Sequence, residues 1–181
     1  MASTFNTPSS NGTMVTGLFP DRASAEAAYG SLHERGYSKD DVNLVMSDET
    51  RTRHFANTAN VETELGNKAA EGAGIGGAIG GTVGAVVAAI AAVGTSLALP
   101  GLGLVIAGPL AAAAAGAGAG AAGGGLIGAL IGWNIPEERV KHYEDGIKKG
   151  GILMGVRSKN DDDAAHFESS WKTANGQHVY R

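Results

Sequence analysis

The sequence contains no cysteine and few aromatic residues, and its middle third contains no charged side chain. The absence of cysteine excludes disulfide bonds and thiolate metal sites, and it is typical of a protein in a reducing compartment. Aromatic residues make up 6% of the 181 residues, so the apolar content depends mainly on Ala, Gly and Val. The formal net charge is −4 and Lys and Arg form no basic stripe, so nucleic acid is not expected as a partner.

The first residues lack the features of a secretory signal. Such a signal has a basic start followed by an apolar run, whereas residues 1–13 are rich in Ser, Thr and Asn and carry no charged side chain. We expect residues 1–13 to be a disordered tail and the polar parts of the chain to stay in the cytoplasm.

Residues 14–48 have the pattern of a β-α-β unit. Met14–Phe19 is rich in residues that favour strands, and Asp21 is a suitable N-cap for the Ala-rich stretch that follows. Gly36 is placed to end this helix. Val42–Met46 is predicted to be the second strand.

Residues 136–181 repeat that order after one additional helix. Pro136–Lys149 is predicted to be this helix, Ile152–Val156 a strand, and Asp161–Asp163 the cap of a further helix. A short last strand is expected at His178–Tyr180. Two β-α-β halves joined in one sheet predict an α+β protein with a ferredoxin-like four-stranded sheet and helices on one face.

An uncharged apolar segment separates the two halves. Residues 49–71 form a polar linker that is expected to become helical near Val61. Residues 72–136 then contain no Asp, Glu, Lys, Arg or His. We assign residues 72–135 to an apolar helical hairpin that interrupts the α+β fold.

Proline and glycine divide this segment into two arms. They occur together at residues 100–101 and 108–109, which leaves the arms Gly72–Leu99 and Leu110–Trp133. As helices, these arms would be about 42 and 36 Å long, enough to cross a hydrocarbon core of about 30 Å.

Glycine recurs every fourth residue in both arms. This spacing keeps the glycines close to one helical stripe, where another helix can approach backbone to backbone, as in a glycine zipper. Glycine also destabilises an isolated helix by about 0.5–1 kcal/mol per residue relative to Ala, so such helices need a partner or a membrane. The predicted helix-packing and oligomerisation residues are Gly72, Gly76, Gly80, Gly84, Gly116, Gly120, Gly124, Gly128 and Gly132.

The free-energy contributions that favour and oppose insertion of the segment in a membrane are close in size. The first arm contains nine aliphatic side chains and the second contains five, so the first arm can insert alone and the second only as half of a hairpin. The turn at residues 94–109 has no basic residue, whereas Lys and Arg flank the segment; the positive-inside rule then places both polar halves in the cytoplasm. The turn is itself apolar, so it lies in the far interface, folds back into the membrane, or is buried in an oligomer.

No group of residues predicts catalysis or cofactor binding. Gly72, Gly74 and Gly77 match the dinucleotide fingerprint, but no strand precedes them and no acidic residue follows at the required distance. The five histidines are scattered without metal-ligand spacing, and Asp161–Asp163 is better explained as a helix cap than as a Ca²⁺ site. We expect no catalytic, cofactor-binding or metal residues, and no enzyme activity.

Short motifs along residues 14–171 resemble those of the bacterial general stress protein family. That resemblance implies a stress-response protein that is linked to a membrane or self-assembles, with no known chemistry and no catalytic residues to transfer. The motifs are Gly17-Leu18-Phe19, Asp21-Arg22, Ala25–Ala28, Gly36-Tyr37-Ser38, Asp40-Asp41-Val42, Leu99–Gly103, Ala107–Leu110, Gly132–Glu138, Tyr143-Glu144 and Lys149–Leu153.

Two hypotheses follow for the function. In the first, the protein is a non-enzymatic stress protein whose apolar hairpin forms transmembrane helices in the inner membrane and packs as a homo-oligomer. In the second, it is a soluble cytoplasmic homo-oligomer whose hairpins share an apolar centre. The expected partners are further copies of the chain and the lipid membrane, with no nucleic acid and no small-molecule substrate. An enzyme acting on a small ligand is the least favoured alternative.

Overall fold

The chain forms an α+β domain of six strands and four α-helices within the residues that the computed structural model describes, which are 12–55, 96–99, 103–109, 130 and 135–181. The elements in chain order are β1 (Met14–Phe19), α1 (Arg22–Glu34), a 3₁₀ turn (Lys39–Asp41), β2 (Val42–Ser47), α2 (Asp48–Phe55), β3 (Ser96–Leu99), β4 (Leu104–Ala107), α3 (Glu137–Lys148), β5 (Ile152–Arg157), α4 (Asp161–Thr173) and β6 (Gln177–Tyr180).

The strands form one sheet in the order β3-β4-β2-β5-β1-β6, and all neighbours are antiparallel. β5 lies at the centre, where it pairs with β1 along its whole length and with β2 on its other side. The two strands of the first β-α-β unit are therefore separated by β5, and the last strand, β6, joins the outer side of β1. This order places the start of β1 beside the ends of β5 and β6.

Side-chain caps fix the starts of α1 and α4, which lie on the same face of the sheet. The Asp21 side chain accepts a hydrogen bond from the Ser24 amide at 2.8 Å, and Gly36 follows the helix at a φ of 73°, as expected for a terminating glycine. Helix α4 is capped by Asn160, whose side chain accepts from the Asp163 amide at 2.7 Å. The predicted cap at residues 161–163 is thus one residue too late, since these aspartates form the first turn.

One face of the sheet packs against α1, α2 and α4. The buried side chains of this face alternate along the strands with buried side chains of the opposite face, as expected of a sheet that is covered on both faces. Trp171 at its centre packs edge-on against Phe19 at 5.5 Å between ring centroids. The largest buried members of this core are Phe19, Tyr29, Leu32, Tyr37, Leu44, Met46, Phe55, Phe167 and Trp171.

The opposite face packs against α3. Helix α3 approaches β1 closely because Gly146 has no side chain, and a Cβ there would lie 2.0 Å from the Leu18 Cδ2 atom. The core of this face consists of Leu18, Val45, Ile106, Leu130, Ile135, Val140, Tyr143, Ile147 and Leu153. The helices of the two predicted β-α-β halves, α1 and α4, thus share one face. The additional helix, α3, covers the other face, where its apolar stripe is buried.

The sheet also has more strands than the sequence predicted. The expected strands correspond to β1, β2, β5 and β6, and the α+β class is confirmed. The two further strands, β3 and β4, lie in the predicted turn at residues 94–109 and extend the sheet beyond β2. The linker begins with helix α2, while the helix expected near Val61 lies outside the described residues.

Candidate functional site: the sheet anchor and the arginine cleft

The predicted helix-packing residues all lie outside the described residues. These are Gly72, Gly76, Gly80, Gly84, Gly116, Gly120, Gly124, Gly128 and Gly132. Two parts of the arms are described. Ser96–Leu99, at the end of the first arm, is strand β3 rather than the expected helix, and Leu130 lies in the second arm.

The middle of the apolar segment is part of the sheet. Strand β4 pairs with β2 over four residues, from Leu44 opposite Ala107 to Ser47 opposite Leu104. The Asp48 amide donates a hydrogen bond to the Gly103 carbonyl at 2.7 Å, which extends the pairing beyond the strand. We name β3, β4 and this contact the sheet anchor. Val105, Ile106 and Ala107 are all buried in it.

Gly108 allows the anchor to lie this close to β2. Its φ is 108°, a conformation that residues with a side chain rarely adopt. A Cβ at this position would lie 2.3 Å from the Val42 carbonyl oxygen and 3.0 Å from the Asn43 Cα. Both atoms belong to the backbone of β2, so no rotation of a side chain would relieve the contact.

The end of the apolar segment also joins the domain. Leu130 is fully buried in the core beneath α3, and its carbonyl accepts a hydrogen bond from the Ile135 amide at 3.4 Å. Ile135 itself is 6% exposed. The apolar segment is therefore attached to one sheet at its middle, through β4, and near its end, through Leu130 and Ile135.

A cleft of about 350 Å³ opens where β1 and the first turn of α3 meet. Its strand wall follows from the register, because Met14 lies opposite Arg157 on β5, and Thr16 lies opposite Tyr180 on β6. The other wall comes from the entry to α3. Its principal lining residues are Thr13, Thr16, Ile135, Arg139, Arg157 and Arg181. We name it the arginine cleft, and the sequence analysis did not predict it.

Each arginine of the cleft is held by a different contact. The Arg139 guanidinium carbon lies 4.2 Å from the centroid of the Tyr180 ring, and Arg157 donates to the Gly12 carbonyl at 3.2 Å. Arg181 forms an ion pair with Glu168 at 2.8 Å. Three arginines from α3, β5 and the residue after β6 cannot be recognised as neighbours from their spacing in the chain.

A buried hydroxyl pair lies beside the cleft. The Thr16 and Tyr143 hydroxyls are 2.8 Å apart, and Tyr143 lies 3.0 Å from the His178 carbonyl oxygen, to which it donates. Burial raises the pKa of Tyr143 to about 12, although the Thr16 hydrogen bond and the Arg139 charge oppose the shift. The phenol is therefore protonated at neutral pH, and it supports the irregular pairing of β6.

Two histidines that the sequence treats as unrelated are neighbours in the fold. The rings of His142 and His178 stack at 4.7 Å between centroids, with 15° between their planes. Both side chains are exposed. Among the described residues, no group of three His, Asp or Glu side chains has the arrangement of a metal site.

Asp163 is the most connected carboxylate of the domain. It is 7% exposed and accepts hydrogen bonds from Arg35 at 2.9 Å, Tyr37 at 2.8 Å and Asn160 at 3.1 Å. The Tyr37 hydroxyl in turn accepts from the Lys159 amide at 2.6 Å. Burial, together with the Asp163 carboxylate, raises the pKa of Tyr37 to about 12. This network ties the end of α1 to the start of α4.

Comparison with protein-family models, with curated proteins and with solved structures finds no match for this chain. Within the part of the chain that the structure describes, no helix combines the length and the apolar character that a bilayer crossing requires.

Proposed function

We propose that the protein is a non-enzymatic, stress-associated protein whose glycine rows drive homo-oligomerisation. The observation that carries this proposal is the sheet anchor between the two glycine-rich arms. Because the segment is bound to the domain at its middle and near its end, residues 56–95 and residues 110–129 each connect two positions of the same folded domain. Uncharged arms with glycine at every fourth residue bury their backbone best against another helix.

We also propose that the domain is a ferredoxin-like unit with an extended sheet. The order β2-β5-β1-β6, with helices α1 and α4 crossing one face, matches that topology. Strands β3 and β4 then represent an addition to one edge, made by the inserted apolar segment. One end of each arm adjoins this edge, because β3 ends the first arm and β4 precedes the second. We infer that oligomerisation through the arms places this edge toward the centre of the assembly.

Of the two hypotheses, membrane insertion and soluble assembly, the sheet anchor favours soluble assembly. A hairpin that crosses a bilayer twice would have its turn on the far side, about 30 Å from its flanks. Here β4 in the turn is hydrogen-bonded to β2, which precedes the segment. Each arm would then have to enter and leave on the same side, which requires a bend within the arm.

Membrane association is the second candidate, favoured by the composition of the arms and their flanks. The first arm contains nine aliphatic side chains, and Lys and Arg flank the segment but not its turn. With the anchor in place, this candidate takes the form of arms that dip into the inner membrane from the cytoplasmic side.

Fractionation of the full-length chain distinguishes the two candidates. We expect lysis without detergent to leave the protein in the soluble fraction, and light scattering after size exclusion to give a mass of several subunits. A protein that sediments with membranes, and that detergent releases as a monomer, would contradict the assembly and support membrane association. A monomer without detergent would contradict both.

A matched pair of substitutions tests the glycine rows. Gly124→Leu introduces a large side chain into the second row, whereas Gly125→Leu introduces the same side chain one position away from it. We expect Gly124→Leu to raise the dissociation constant of the oligomer at least tenfold and Gly125→Leu to change it much less. Equal effects at both positions would remove the argument from the four-residue period.

A further inference from the structure

We propose that the arginine cleft binds a small anion that carries a phosphate group. This site is independent of the proposed oligomerisation, because its lining comes from β1, β5, the entry to α3 and the residue after β6. The cleft has a volume of about 350 Å³, which is at the lower end of the range for small-molecule sites. A phosphate monoester fits this range better than a dinucleotide does.

The positive charge of the lining indicates that a ligand of the cleft carries negative charge. Three arginines line the cleft, and no Asp or Glu is among the lining residues that the structure describes. Among the described residues, Arg139 and Arg157 form no ion pair with a carboxylate. Two guanidinium groups that line one cleft, neither paired with a carboxylate of the described residues, favour an anion as the ligand of the cleft.

The contacts of the arginines hold their guanidinium groups in place. Arg139 lies over the Tyr180 ring, and Arg157 uses one Nη to bind the Gly12 carbonyl. Such contacts reduce the side-chain entropy that would be lost on binding, while the remaining N–H groups stay able to donate. The planar donor array of arginine matches the oxygens of a phosphate group, which a single ammonium group does not.

Two carboxylates contact lining residues of the cleft without being lining residues themselves. Glu168 pairs with Arg181, and Asp161 accepts a hydrogen bond from Thr13 at 3.5 Å. The hydroxyl of Thr16, which is 2% exposed, provides a further polar group at the cleft and is itself fixed by Tyr143. We therefore expect Arg139 and Arg157 to contribute most of the binding, with Arg181 partly neutralised by its partner.

Titration of the full-length chain with inorganic phosphate and with glycerol phosphate tests the proposal. We expect saturable binding by calorimetry in a phosphate-free buffer at physiological salt. Arg139→Gln and Arg157→Gln should each weaken it at least fivefold. Arg53→Gln is the control, since it removes the same charge from an exposed helix position that pairs with Glu49 outside the cleft. A similar weakening by Arg53→Gln would mean general electrostatic attraction and would overturn the site.

Two further measurements keep the test decisive. Phosphate should shift the amide resonances of residues 13–16 in the unmodified protein, and shifts confined to other regions would overturn the proposal even if a variant failed to fold.

Vesicles of phosphatidylcholine with and without phosphatidic acid identify the source of the phosphate. Co-sedimentation that requires phosphatidic acid and is lost in Arg139→Gln would assign a lipid headgroup. Binding of the free phosphates alone would assign a soluble one.

Discussion

Substitution of Gly108 by alanine is expected to detach the sheet anchor from the domain. The new Cβ would lie 2.3 Å from the Val42 carbonyl oxygen and 3.0 Å from the Asn43 Cα. Both atoms belong to β2, which pairs with β5 on its other side and cannot move alone. The φ of 108° at this position adds conformational strain for any residue with a side chain.

The expected loss of stability in Gly108→Ala is the sum of the backbone strain and the steric contact. Backbone strain of this kind costs about 1–3 kcal/mol, and an overpacked contact costs about 1–3 kcal/mol. The sum, about 2–6 kcal/mol, is large beside the 5–15 kcal/mol that stabilises a typical domain. Because β3 and β4 lie at one edge, the chain can relieve most of this cost by breaking the pairing of β4 with β2 alone.

Native-state hydrogen exchange measures this local opening. We expect the amides of β4 to lose protection by roughly 30-fold or more, which corresponds to about 2 kcal/mol, while the amides of β1 and β5 keep theirs. Gly30→Ala is the control, because Gly30 lies within α1 with no atom within 4 Å of the new Cβ. It should leave β4 unchanged and stabilise the domain by up to about 1 kcal/mol. Unchanged protection of β4 in Gly108→Ala would refute the anchor.

The remaining predictions concern the two buried polar networks. In a urea titration, Asp163→Ala should lower the free energy of unfolding by about 2–4 kcal/mol, because the Arg35 and Tyr37 donors lose a charged acceptor. The control is Asp162→Ala, at an exposed position of the same helical turn. It should lower the free energy of unfolding by less than about 0.5 kcal/mol. Since Tyr37 and Tyr143 have pKa values raised to about 12 from 10, the folded state holds these protons more tightly. The stability that these two protonated groups give the folded state is therefore fully present below pH 10 and is lost as the pH rises from 10 to 12. Tyr143→Phe should cost about 1 kcal/mol at pH 7 and make the alkaline decline shallower; an unchanged slope would show that Tyr143 does not titrate with unfolding.

The elements that the sequence predicted are those whose signals are local. Strand β1 begins and ends as expected, α1 starts after the Asp21 cap, and β5 is only one residue longer than predicted. Caps, terminating glycines and alternating apolar residues act over a few positions, so they can be identified without knowing the fold. The α+β class follows from their order along the chain.

The differences from the predictions arose where a segment had more than one physically reasonable partner. The apolar run Leu104–Ala107 could be buried equally well in a membrane, in an oligomer or in a sheet. It is a strand because β2 has an edge free to pair with it. The apolar stripe of α3 was evident, but which face of the sheet was still uncovered could not be read from that stripe. In both cases the outcome depends on which surface the rest of the chain leaves open.

The sequence by itself determined the order of β1, α1, β2, α3, β5, α4 and β6 along the chain. It also determined the uncharged character of residues 72–136 and the four-residue spacing of their glycines. Only the tertiary structure decided that the middle of this segment is bound to the sheet, and that Arg139, Arg157 and Arg181 line one cleft. The reason is physical: local signals act between residues a few positions apart, whereas an anchor or a cleft requires the long-range pairing that brings distant strands together.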